Sequence, residues 1–106
     1  MMIRNIHKAI IALLLIGLPS VSFAKRYDVT LPEVASCLKT AQPGDRIYIK
    51  DGQYKDMQLK WIGKGTEKSP ITIEALNPGK VKVEGGSTLR IAGEWLSVSG
   101  LHFTDG

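Results

Sequence analysis

Only Ser99 and Gly100 separate the apolar pair Leu96 and Val98 from the next pair, Leu101 and Phe103, and that gap narrows what the chain can fold into. A hairpin using both residues as its loop is left with two very short arms. A single glycine instead makes a corner, so that the chain turns and continues around a coil without reversing. The same alternation recurs upstream at Ile47 and Ile49, Ile71 and Ile73, Val81 and Val83, and Leu89 and Ile91. Period two places each pair on one face of a short strand. Turn chemistry lies between the runs: Asp51 with Gly52, residues 63–69, residues 77–79, Gly85 with Gly86, and Gly93. Residues 54–62 read as one further strand, with Met57, Leu59 and Trp61 alternating. A sandwich with an antiparallel hairpin closed by Gly85 and Gly86 is the competing arrangement. A parallel β-helix suits the corners better, because each coil then buries its apolar side chains against the next.

Ahead of the strands, Thr30 is followed three positions later by Glu33, with Pro32 in the first turn, which marks a capped helix start. Leu31, Val34, Ala35, Leu38 and Ala41 recur at three- and four-residue steps and give that helix one apolar face. Pro43 and Gly44 end it.

The first 24 residues have the three parts of an export signal: a basic start with Arg4 and Lys8, an apolar run over residues 9–18, then Pro19 and small residues. The run is too short to span a bilayer, which takes roughly 20 apolar residues as a helix. Ser22 and Ala24 supply the small side chains of a cleavage site, so the cut is expected after Ala24 and the mature chain occupies residues 25–106. A periplasmic or secreted protein is the expectation, with no membrane attachment after cleavage. Losing Arg4 and Lys8 lowers the net charge of +4 to a small positive value, with the lysines scattered rather than in a block. Nucleic acid is not implied. Cys37 is the single cysteine, so no internal disulfide and no zinc cluster is available, and its place in the helical pattern suits a small packed apolar side chain.

Few residues stand out as chemistry. Asp51 and Asp105 each precede a glycine, where turn geometry accounts for an aspartate without a calcium ion; Asp56 has no such assignment. Lys50, Lys55 and Lys60 recur every five residues, and either line a groove for an acidic chain or serve as ordinary strand-surface charges. His102 points outward between Leu101 and Phe103 and has no second ligand. Trp61 and Trp95 have rings that suit sugar stacking, with core or corner packing as the alternative, above all for Trp95, which begins a strand. Gly63, Lys64, Gly65 and Thr66 lack the earlier glycine and the hydroxyl after lysine that a phosphate loop needs. No catalytic, cofactor or metal residue is assigned.

Three stretches together carry a family resemblance. The first holds Pro43, Gly44, Asp45, Ile47, Ile49, Asp51, Gly52, Tyr54, Lys55 and Asp56. The second holds Pro70, Ile71, Thr72, Ile73, Ala75, Asn77, Pro78, Gly79 and Val81. The third holds Leu89, Ile91, Gly93, Leu96, Val98, Gly100, Leu101, Phe103, Asp105 and Gly106. The chain resembles the N-terminal segment of chondroitinase B and the related alginate lyases of the sixth polysaccharide lyase family. The resemblance implies an all-β, right-handed parallel β-helix plugged at its N-terminal mouth by the short helix. It further implies a parent enzyme that cleaves uronate-containing polysaccharide, alginate or glycosaminoglycan, by β-elimination. Calcium held by Asn and Glu, a lysine base and an assisting arginine are expected of the full-length family, on coils later than residues 25–106. The alternative is a non-catalytic β-helix module that binds carbohydrate or shapes a cell-surface protein.

Overall fold

The computed structural model describes residues 24–104. Residues 1–23 of the expected export signal, Asp105 and Gly106 lie outside the described residues. The chain runs as parallel coils, with β1 at Arg26–Val29, a 3-10 turn at Leu31–Glu33 and helix α1 at Val34–Thr40. The first coil follows as β2 (Arg46–Ile49), β3 (Gly52–Lys55) and β4 (Gln58–Lys64). The second is β5 (Ile71–Ala75), β6 (Val81–Glu84) and β7 (Thr88–Glu94), and a third begins with β8 (Leu96–Ser99) and β9 (Leu101–Phe103). Strands stack into three sheets in the orders β1-β2-β5-β8, β3-β6-β9 and β4-β7. Every pairing is parallel, which rules out the hairpin at Gly85 and Gly86. Those two glycines turn the corner between β6 and β7.

Register explains the core. Ile47 pairs with Ile73 and Ile73 with Val98, while Tyr54 pairs with Val83 and Val83 with Phe103. Equivalent inward positions of successive coils therefore lie one above another, about 4.8 Å apart. Ile47, Ile49, Trp61, Ile71, Ile73, Val81 and Val83 are buried. Ile91 and Phe103 also point inward, yet each is 49% exposed, because only one side of each is covered by a coil.

The N-terminal end is closed by two devices. β1 covers the edge of β2, pairing Tyr27 with Ile47 and Val29 with Ile49. Helix α1 packs against β4 and β2, and Leu31, Val34 and Leu38 are buried in the same cluster as Ile47 and Trp61. The Glu33 carboxylate accepts hydrogen bonds from the Thr30 amide (2.9 Å) and the Thr30 hydroxyl, completing the anticipated cap. Ala41 is extended and ends the helix just before Pro43.

Four expectations need correction. The stretch 54–62 is two strands, broken where Asp56 adopts a left-handed φ of 54°. Strand β4 continues through Gly63 and Lys64, so the loop starts later than residue 63. Gly93 is no turn but lies inside β7, opposite Gly63. Trp95 stands at the corner between β7 and β8 with φ 54°, rather than beginning a strand.

Candidate anion-binding groove

Strands β4 and β7 show outward Lys60 beside Arg90, Gln58 beside Thr88, Ile62 beside Ala92 and Lys64 beside Glu94. The inward partners are Leu59 with Leu89, Trp61 with Ile91 and Gly63 with Gly93. This is an internal repeat, Leu-Lys-Trp-Ile-Gly-Lys over Leu-Arg-Ile-Ala-Gly-Glu, and it brings two cations side by side on neighbouring strands. Like charges directly opposite each other are unfavourable. Among the described residues the only ion pair is Arg26 with Asp28, at 2.9 Å, so neither Lys60 nor Arg90 has a carboxylate to offset the repulsion.

A groove of about 740 Å³ lies along this face, between the coil and helix α1. Its apolar floor includes Leu38, Ile62 and the paired Gly63 and Gly93, and its rim carries Lys39, Lys60, Lys64 and Glu94. A smaller depression of about 340 Å³ continues past Lys60 to Gln58, Thr88 and Arg90. Of the pair, Gly93 is required by close approach. A Cβ on Gly93 would run into the Gly63 carbonyl oxygen, and the residue has φ 116°. An apolar floor with cations along the rim suits a sugar ring that carries a carboxylate, whose C–H face packs while its anion meets ammonium groups.

The residues singled out in the sequence fall in different places. Of Lys50, Lys55 and Lys60, only Lys60 reaches the groove; Lys55 projects from β3 and Lys50 follows β2, so a five-residue step places the three on different sides of the coil. Lys39 and Arg90 carry no sequence signal of their own and Lys64 stands out only in the failed phosphate-loop pattern, although aligning the repeat at its leucine and glycine puts Arg90 under Lys60. Asp51 accepts a hydrogen bond from the Asn77 amide (2.9 Å), and Asp56 accepts one from the Gly86 backbone N–H (2.7 Å). Both aspartates tie a corner of one coil to the next. Trp61 is buried and cannot stack on a sugar, and its indole N–H has no partner. Trp95 is 53% exposed beside Glu94. His102 faces outward next to Lys82, as alternation requires. Burial pushes the Cys37 thiol up, keeping it protonated and unreactive at neutral pH.

A family model described as Chondroitinase B matches residues 29–106, from the end of β1 onward. The chain belongs to the chondroitinase B family. Solved structures place this chondroitinase B family chain among PL6 lyases. It is 43% identical to the PL6 family alginate lyase AlyGC, with a TM-score of 0.70 over 76% of this chain and 11% of that one. Against the PL6 family polysaccharide lyase Pedsa3628 from Pseudopedobacter saltans the identity is 32% and the TM-score 0.68, over 77% of this chain and 19% of that one. A mannuronic acid specific family 6 lyase from human gut microbiota is 34% identical with a TM-score of 0.61, covering 73% and 19% of the two chains. The chain thus spans between about a tenth and a fifth of the length of these relatives. No curated protein matches it.

Proposed function

We propose that this chain forms the closed end of an exported lyase that cleaves uronate-containing polysaccharide, alginate or glycosaminoglycan, by β-elimination. Its kinship with PL6 alginate lyases supports the reaction class and the acidic substrate. The proton at C5 of a uronate is only weakly acidic, and its removal builds negative charge on the adjoining carboxylate. A working centre therefore needs a cation on that carboxylate and a base at the proton. Calcium, a hard cation, takes six to eight oxygen ligands. Among the described residues no group of three or more His, Cys, Asp or Glu stands together, and Asp51 and Asp56 are occupied in corner hydrogen bonds. The residues present do not fit a calcium site. In this reading the calcium, the base and the assisting arginine belong to coils outside these residues, and the protein works in the periplasm or outside the cell.

The test is product analysis. The protein expressed from its intact gene, incubated with polymannuronate, alginate and dermatan sulfate, is expected to release unsaturated uronate ends from at least one. Hydrolysis to saturated ends, or no cleavage of any uronate polymer, contradicts the reading.

A second reading, that this part of the molecule grips polysaccharide without acting on it, is favoured by one observation: Lys60 and Arg90, without a carboxylate partner, lie in register where the groove runs into the smaller depression. The two readings are compatible. The groove holds an anionic stretch of polymer while cleavage proceeds elsewhere.

A further inference from the structure

We propose that export processing between Ala24 and Lys25 creates an α-ammonium group that docks onto the buried Asp45 carboxylate and locks the N-terminal end of the coil. Asp45 is only 2% exposed, and it is the one buried charged side chain among the described residues. Its two oxygens each accept one backbone N–H: Oδ1 from Lys25 at 2.9 Å and Oδ2 from Gln42 at 2.8 Å. No cation lies within ion-pair distance of it among the described residues. A buried carboxylate held by neutral amides alone is an expensive arrangement, and a positive charge at one of those donors relieves it.

The donor in question is the nitrogen at the expected cut. Hydrolysis of the Ala24–Lys25 peptide bond by a signal peptidase breaks the C–N bond, and water supplies the hydroxyl to the Ala24 carbonyl carbon and a proton to the Lys25 nitrogen. At neutral pH the proton shed by the new Ala24 carboxylic acid is matched by one taken up on the amine. The amide that already points at Asp45 thus becomes an ammonium without moving. Lys25 is held on its other side as well, since its carbonyl accepts the Arg46 N–H at 2.9 Å. Asp45 in turn is fixed by the turn in which its own N–H reaches the Gln42 carbonyl (3.0 Å), and its carbonyl accepts the Thr72 N–H of the second coil (3.1 Å). A charge pair at Lys25 and Asp45 therefore joins the mature terminus, the end of α1 and the first two coils of the sheet.

The inference is tested on the intact-gene protein produced with its own leader in an exporting bacterial host. Mass spectrometry of the terminus should find Lys25 first; a stable terminus at any other residue overturns the proposal. The coupling is then read by a double-mutant cycle in chemical denaturation. One axis is Asp45→Asn, and the other is a form that keeps a single extra residue ahead of Lys25, which carries the charge out of reach. Asp45→Asn should lower the folding equilibrium about tenfold more in the correctly cut form than in the extended form. Equal losses in both backgrounds overturn the proposal. Should Asp45→Asn fail to fold, the unsubstituted protein still decides it. Its α-amine should be acylated near neutral pH about tenfold more slowly in the native state than in denaturant, and equal rates contradict a docked terminus.

Discussion

Gly93 shows how much a single residue can constrain a coil. In the sequence a lone glycine between Ala92 and Glu94 reads as a turn, but here it sits in mid-strand because the Gly63 carbonyl oxygen of the coil below occupies the space a side chain would need. Gly93→Ala combines a backbone clash with an unfavourable φ, and is expected to destabilise the intact protein by roughly 3 kcal/mol or more, read from its denaturation midpoint. Gly79→Ala is the contrast: its φ is also positive, at 82°, but nothing lies within 4 Å, so its cost should be roughly 1 kcal/mol. Trp61 makes a different prediction. Trp61→Ala opens a large cavity and should cost about 3–5 kcal/mol. Trp61→Phe also removes an indole N–H that has no acceptor, so part of its lost packing is offset and its cost should fall well below that of the alanine variant. The inward alternation of Trp61 was legible from Leu59 and Met57; the missing indole partner was not, since it depends on what the neighbouring coils bring near.

Among the elements, helix α1 and its cap were the most legible, because Thr30, Pro32 and Glu33 are local signals that need no tertiary partner. The Glu33 carboxyl is held below its ordinary range, first by the hydrogen bond from the Thr30 hydroxyl and then by the Thr30 amide. A lowered folded-state value means the contribution is fully present above the unfolded carboxyl range, near pH 4.3, and is lost as pH falls through the folded value. Thermal melts of the intact protein and Glu33→Gln should therefore differ at pH 7 and converge in acid; a difference that stays constant with pH would contradict the cap's ionic character. Strand β1 escaped notice because Tyr27 and Val29 give only two apolar positions, and the strand exists by covering the edge of β2. Strand β3 was legible only in its second half, merged with β4, for a related reason. Its inward positions are Gly52 and Tyr54, so half of its apolar signal is absent, and only pairing with Val81 and Val83 defines it.

At the scale of the molecule, the coils have unlike ends. β1 and α1 close one end, while at the other the strands β7, β8 and β9 present unpaired edges among the described residues, with Ile91 and Phe103 half exposed. Such edges recruit other chains. Residues 25–106 prepared alone are expected to self-associate or to unfold in part, checked by sedimentation and by thermal melting; a sharp cooperative melt from a monomer contradicts this. Corners and alternation made the coil readable, but the groove was readable only through register. Lys60 and Arg90 lie far apart in sequence, and what joins them is the stacking of β7 on β4. In the function proposed above, this region grips an acidic polysaccharide while the elimination chemistry lies outside residues 24–104. The decisive measurement is steady-state kinetics of the intact-gene protein on its preferred uronate polymer, with Lys60, Lys64 and Arg90 together replaced by alanine. KM for the polymer should rise about tenfold, the loss of two or three solvent-exposed charge contacts, while kcat is unchanged. A collapse of kcat at constant KM, or no change in either constant, would contradict it.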